Sequence, residues 1–135
     1  MTTSASNIRA AIRELWPRIA LLWLPDGTYE RPAIADVIAA LQASGVATIE
    51  KRGELWDCDD YALAANYQIK RHCLANGVEN PWAFGECFCS KLKGREVNHT
   101  LNILHAQNGL WLIEPQGYHH WLASKERDNV ETVKM

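Results

Sequence analysis

Apolar residues recur along the first third of the chain at helical intervals. Ile8, Ile12 and Leu15 lie on one stripe of a helix predicted over residues 5–15, which Pro17 ends. The apolar run from Ile19 to Leu24 reads as a short strand or extended arm, and Pro25-Asp26-Gly27 supplies a turn before Tyr29. Ile34, Val37, Ile38 and Leu41 define a second helix over residues 32–43, closed by Ser44-Gly45, and residues 46–49 read as extended. A loop at Lys51-Arg52-Gly53 leads to Trp56-Asp57-Cys58-Asp59-Asp60, after which Ala62, Ala65, Ile69 and Cys73 return to helical spacing until Asn76-Gly77. Beyond that the pattern is of strands: residues 82–89, 100–106 and 110–114, the last two joined by a hairpin at Gln107-Asn108-Gly109. Helices first and an antiparallel sheet afterwards predict an α+β fold with a central helix laid on the sheet, its N-terminus carrying Cys58.

A chain of 135 residues, 47% of them hydrophobic, has room for one core. The expected organisation is a single domain over 1–135, with a helical N-terminal part (1–50) and a catalytic core (51–135). A formal charge of −2 and dispersed basic residues argue against nucleic acid as a partner. The N-terminus lacks a secretory pattern and no apolar run reaches the length of a membrane span, so the expectation is a soluble, cytoplasmic protein without a membrane partner. In that setting Cys58, Cys73, Cys87 and Cys89 are read as free thiols.

The junction at Cys58 carries the candidate chemistry. A thiol at a helix N-terminus meets the positive end of the helix dipole, which favours the thiolate. His99 opens one strand of the hairpin and Glu114 ends the other, so antiparallel pairing brings an imidazole and a carboxylate together. A thiol, a base and a group that orients the base are the parts of nucleophilic catalysis.

The blocks Trp56-Asp57-Cys58-Asp59-Asp60-Tyr61-Ala62, His99 and Trp111-Leu112-Ile113-Glu114-Pro115 resemble the Cys, His and Asp/Glu blocks of transglutaminase-like, papain-like cysteine proteinases. Closest in wording are a bacterial family with an Asp-Cys-Glu-Asp-Tyr-Ala block and the calcium-dependent protease domain of fungal mushroom agglutinins. The resemblance runs from Trp56 to Gln116. It implies a papain/transglutaminase-like core with the Cys-bearing helix packed on a small antiparallel sheet. It also implies Cys58 as nucleophile, His99 as base and Glu114 as the acidic third member. The function implied is a cysteine hydrolase that cleaves a peptide or amide bond in a protein or peptide substrate, or a transamidase. In the bacterial type, acids flanking the nucleophile bind calcium, which falls on Asp57 and Asp59, although the further acid expected after that block is replaced by Ala62. No organic cofactor is implied.

Electrostatics bears on the metal independently. At about 4 Å and an effective dielectric near 20, a carboxylate destabilises a thiolate by at most about 4 kcal/mol, against about 0.3–2 kcal/mol returned by the helix N-terminus. Acids touching Cys58 therefore suppress it unless they point away, cap the helix or hold a cation.

Plainer readings stand beside these. Cys58 is also readable as a buried thiol, and Asp57, Asp59 and Asp60 as first-turn acids. His105 is a rival base, His119-His120 a surface pair, and Cys87 with Cys89 strand packing. Trp56 and Trp111 line a cleft or fill the core. Gln116 is a candidate polar or oxyanion contact, with Asn98 and Asn102 behind it. The runner-up from another class is a catalytically silent papain-like binding or inhibitory module in a phage or bacterial setting.

Overall fold

The computed structural model describes residues 1–135. Ser4, which closes strand β1 (Thr2–Ser4), accepts a hydrogen bond from the Asn7 N–H at 3.1 Å and so starts helix α1 (Ala5–Leu15). Strands β2 (Leu21–Trp23) and β3 (Thr28–Glu30) follow, then α2 (Ile34–Ser44), which Gly45 ends in the left-handed conformation at φ 72°. Val46–Thr48 form a 3₁₀ turn rather than the expected extended segment, because the chain leaves the Gly45 cap still turning. Helix α3 (Cys58–Ala75) is followed by β4 (Phe84–Leu92), β5 (Arg95–Ala106), β6 (Gly109–Glu114), β7 (His119–Leu122) and β8 (Asn129–Lys134).

The strands are longer and more numerous than the sequence pattern predicts. Lys93 and Gly94, with φ of 51° and 81°, make a two-residue turn that extends β4 and β5 well past Cys89 and Thr100 into charged sequence. β7 and β8 have no counterpart in the hydrophobic pattern. β8 takes a place inside the sheet, in the order β2-β8-β4-β5-β6-β7. β1 and β3 form a separate antiparallel pair. Residues 1–50 thus contain three strands as well as two α-helices.

These facts correct the expected papain/transglutaminase-like core. The sheet is not small and wholly antiparallel: it has six strands, and β2 lies parallel to β8. More of the chain lies in strands than in α-helices, so the sheet, not a central helix, organises the molecule. Its two faces bury separate apolar clusters. Ile8 and Ile12 of α1 pack with Cys87, Leu101, Ile103, Leu112 and Val133. Val37 and Leu41 of α2 and Ala65 and Ile69 of α3 pack with Phe84, Leu104, Ala106 and Ile113. Along β5 the two sets alternate, as the pleat requires. Arg31 ties the N-terminal part to the β5–β6 hairpin through hydrogen bonds of 3.0 and 2.8 Å to the Ala106 carbonyl. No helix is long and apolar enough to cross a membrane.

Candidate functional site

Asp57 stands in extended conformation just ahead of α3, and its backbone N–H donates to the Asp60 carboxylate at 3.1 Å. Cys58 is therefore the first residue of the helix, half-buried and free of any disulfide. Potential ligand atoms of Asp57, Cys58 and Asp59 all lie within 4.8 Å of one another. The crowding of acids is felt at Asp57. Its hydrogen bond with Asp59, then burial, then repulsion from Asp59 raise its pKa to about 6. The Trp56 ring meets Tyr61 edge-on at 5.9 Å, and the Tyr61 hydroxyl donates to the Ile49 carbonyl.

His99 and Glu114 are brought together as the hairpin pattern predicts. His99 Nε2 lies 2.5 Å from Glu114 Oε2, with both side chains about one-quarter exposed. The other carboxylate oxygen accepts from the Gln116 backbone N–H at 3.3 Å, so Gln116 steadies Glu114 through its main chain. With Nε2 engaged by Glu114, Nδ1 is the imidazole nitrogen left over. The Cys58 thiol makes no hydrogen bond to His99; what the fold assembles is a pair, His99–Glu114, and an acid–thiol–acid group, Asp57–Cys58–Asp59.

The remaining candidates sort by burial. His105 is buried, and burial, then the Arg31 charge, lower its pKa to about 4. His119 and His120 are exposed, and His120 Nδ1 contacts the Tyr118 carbonyl at 2.8 Å. Cys87 and Cys89 are buried with their sulfurs 3.8 Å apart. Trp111 packs on the α2/α3 cluster and donates to Asn108. Asn98 is exposed. Asn102, a minor candidate from sequence, is fully buried and donates to the Ala62 and Gly85 carbonyls at 3.0 Å each, clamping the first turns of α3 to β4. Sequence reading passed over Ser90, Asn129 and Glu131, whose polar side chains interrupt strand segments.

His105 carries a pH prediction. Its folded-state pKa of about 4 lies below the ordinary 6.5, so between these values the unfolded chain binds more protons. Stability is full above about pH 6.5 and falls toward pH 4, by at most about 1.4 kcal/mol per pH unit. Urea melts of the parent and His105→Leu across this range are expected to diverge, with the variant less pH-dependent; parallel curves would refute the assignment.

No family model and no curated protein matches the sequence. Solved structures do match, one of a lectin among them. A complex of PSL1a with E64 superposes with a TM-score of 0.79 at 20% identity, over 98% of this chain and 49% of that one. Polyporus squamosus lectin bound to the human-type influenza-binding epitope Neu5Acα2-6Galβ1-4GlcNAc gives 0.73 at 22% identity, with the same coverages. At such identities the likeness is one of fold, and the chain spans about half the length of these neighbours. One of these two structures is described as a lectin and neither as a transglutaminase-like proteinase, and this overturns the expected membership in the papain-like cysteine proteinases. The functions drawn from that resemblance are corrected with it: the peptide- or amide-cleaving hydrolase, the transamidase, the silent papain-like module and the protein or peptide substrate.

Proposed function

We propose that this chain is a carbohydrate-binding domain whose ligand seat lies at the N-terminus of α3, with Cys58 there and the His99–Glu114 pair contacting the same ligand. The observation that carries this reading is a pair of unpartnered polar atoms. Trp56 Nε1, a donor, and Asp57 Oδ1, an acceptor, have no hydrogen-bond partner, and because both atoms are covered a ligand reaches them by displacing their cover. A buried polar group left in this way costs about 1–3 kcal/mol, and a sugar hydroxyl, being donor and acceptor at once, satisfies either type. The lectin-like fold over nearly the whole chain supports the same ligand class. Trp56 offers the ligand an indole, and Gln116 holds Glu114 in place.

A divalent cation belongs to the proposal. Asp57 and Asp59 present the oxygen ligands that calcium prefers, and the ion supplies the positive charge that offsets the acids beside Cys58. One domain over residues 1–135, its 1–50 part supporting the site in 51–135, and a reducing cytoplasmic setting for the four free thiols complete it.

The test is calorimetric titration of Neu5Acα2-6Galβ1-4GlcNAc, with calcium and with chelator, into the parent and Trp56→Phe. Saturable binding that weakens about tenfold in the variant, and more weakly in chelator, is expected; no binding by the parent would sink the carbohydrate reading. In the same preparations, iodoacetamide labelling of Cys58 is followed with and without the trisaccharide. Protection in the parent that is lost in His99→Ala supports the shared ligand contact, and identical labelling of the two proteins removes it.

A further inference from the structure

Strand β4 slips at one place against both of its neighbours. Its register with β5 shifts between Cys89 and Lys91, and its register with β8 shifts between Phe88 and Cys89 and again before Lys91. Ser90 sits in this double irregularity, paired to neither strand. Bulges of this kind re-aim side chains and gather beside functional sites. Around Ser90 opens a cavity of about 700 Å³, lined by Ser90, Lys91, Glu96, Val97, Asn98 and Asn129. That size lies within the roughly 300–1,000 Å³ of small-molecule sites.

The polar side chains here are already arranged. Asn129 Nδ2 donates to Ser90 Oγ at 2.8 Å and to Glu131 Oε1 at 2.9 Å, and Ser90 Oγ donates to the same Glu131 oxygen at 2.8 Å. This closed triangle fixes the Asn129 amide plane and leaves its carbonyl oxygen to accept from a ligand. Asn98, on the facing strand, makes no side-chain bond to the chain and offers both a donor and an acceptor. Val97 is the single apolar residue of the lining, which disfavours an apolar ligand. Fixed amides and a hydroxyl match a hydroxyl-rich molecule.

We infer that this groove binds saccharide units as a contact region separate from the seat at α3; the inference rests on the carbohydrate reading above.

The experiment is titration of Neu5Acα2-6Galβ1-4GlcNAc into the parent, Asn98→Ala, Asn129→Ala and Trp56→Phe, with melting temperatures taken alongside. Asn98 has no partner in the chain, so Asn98→Ala is expected to melt with the parent and to bind about 5- to 10-fold more weakly, the worth of one or two hydrogen bonds. Asn129→Ala is expected to weaken binding by at least as much. If both asparagine variants bind as the parent does while Trp56→Phe is weakened, the groove is refuted and the carbohydrate reading stands. If the parent binds no saccharide, the reading and the groove fall together.

Discussion

Gly85→Ala is expected to destabilise the protein by about 3 kcal/mol, at the upper end for overpacking a filled site. A Cβ at Gly85 would stand 2.1 Å from the Lys134 carbonyl oxygen and 2.7 Å from the Met135 Cα. Both are backbone atoms, so no rotamer change relieves the clash. The end of β8 must draw away from β4, and the pairing Glu86↔Lys134 is lost first. Met135, itself buried in the α1-side cluster, is displaced with it. A fall of roughly 10 °C in melting temperature follows for a domain of this size. Gly27→Ala, with nothing within 4 Å of the added methyl, is the control and should change little. Equal melting of the two variants would show that β8 yields without cost.

Asn102→Leu is the second large effect. The asparagine amide spans two carbonyls, Ala62 in α3 and Gly85 in β4, at 3.0 Å each and out of reach of water. Leucine fills the volume but leaves both acceptors without this donor, at a cost of about 1–3 kcal/mol for a buried group left unpaired. A loss of about 2–4 kcal/mol is therefore expected by urea unfolding. The functional consequence is local. Ala62 lies one turn after Cys58, so the variant also frees the start of α3. Amide hydrogen exchange over residues 58–65 should rise in Asn102→Leu well beyond its global destabilisation. If exchange there rises no more than elsewhere, the clamp is only a contribution to core stability.

Much of the local structure was legible because it depends on neighbours in sequence. The stripe Ile8, Ile12 marks α1, Gly45 marks the end of α2, and the Asp57–Asp60 exchange marks the start of α3. The meeting of His99 and Glu114 was legible for a related reason, since a short hairpin leaves little freedom in register. The sheet was not. The outer halves of β4 and β5 are written in Lys, Arg and Glu, and their hairpin is declared only by the positive φ of Lys93 and Gly94. β8 alternates weakly, and its place between β2 and β4 depends on a chain segment more than a hundred residues away. The short blocks around Cys58, His99 and Glu114 suggested a proteinase because residue order within a block says nothing of what the whole fold resembles.

By itself the sequence determined the helices, the Gly45 stop of α2 and the hairpin that sets His99 against Glu114, because each follows from contacts within a few residues or across one tight turn. Tertiary structure alone decided that strands from both ends of the chain complete a six-stranded sheet and that Asn102 is a clamp rather than a ligand contact. It also decided that Ser90, Asn98 and Asn129 share one groove. The physical reason is common to all three: each depends on long-range strand pairing and on which polar groups that pairing leaves without a partner.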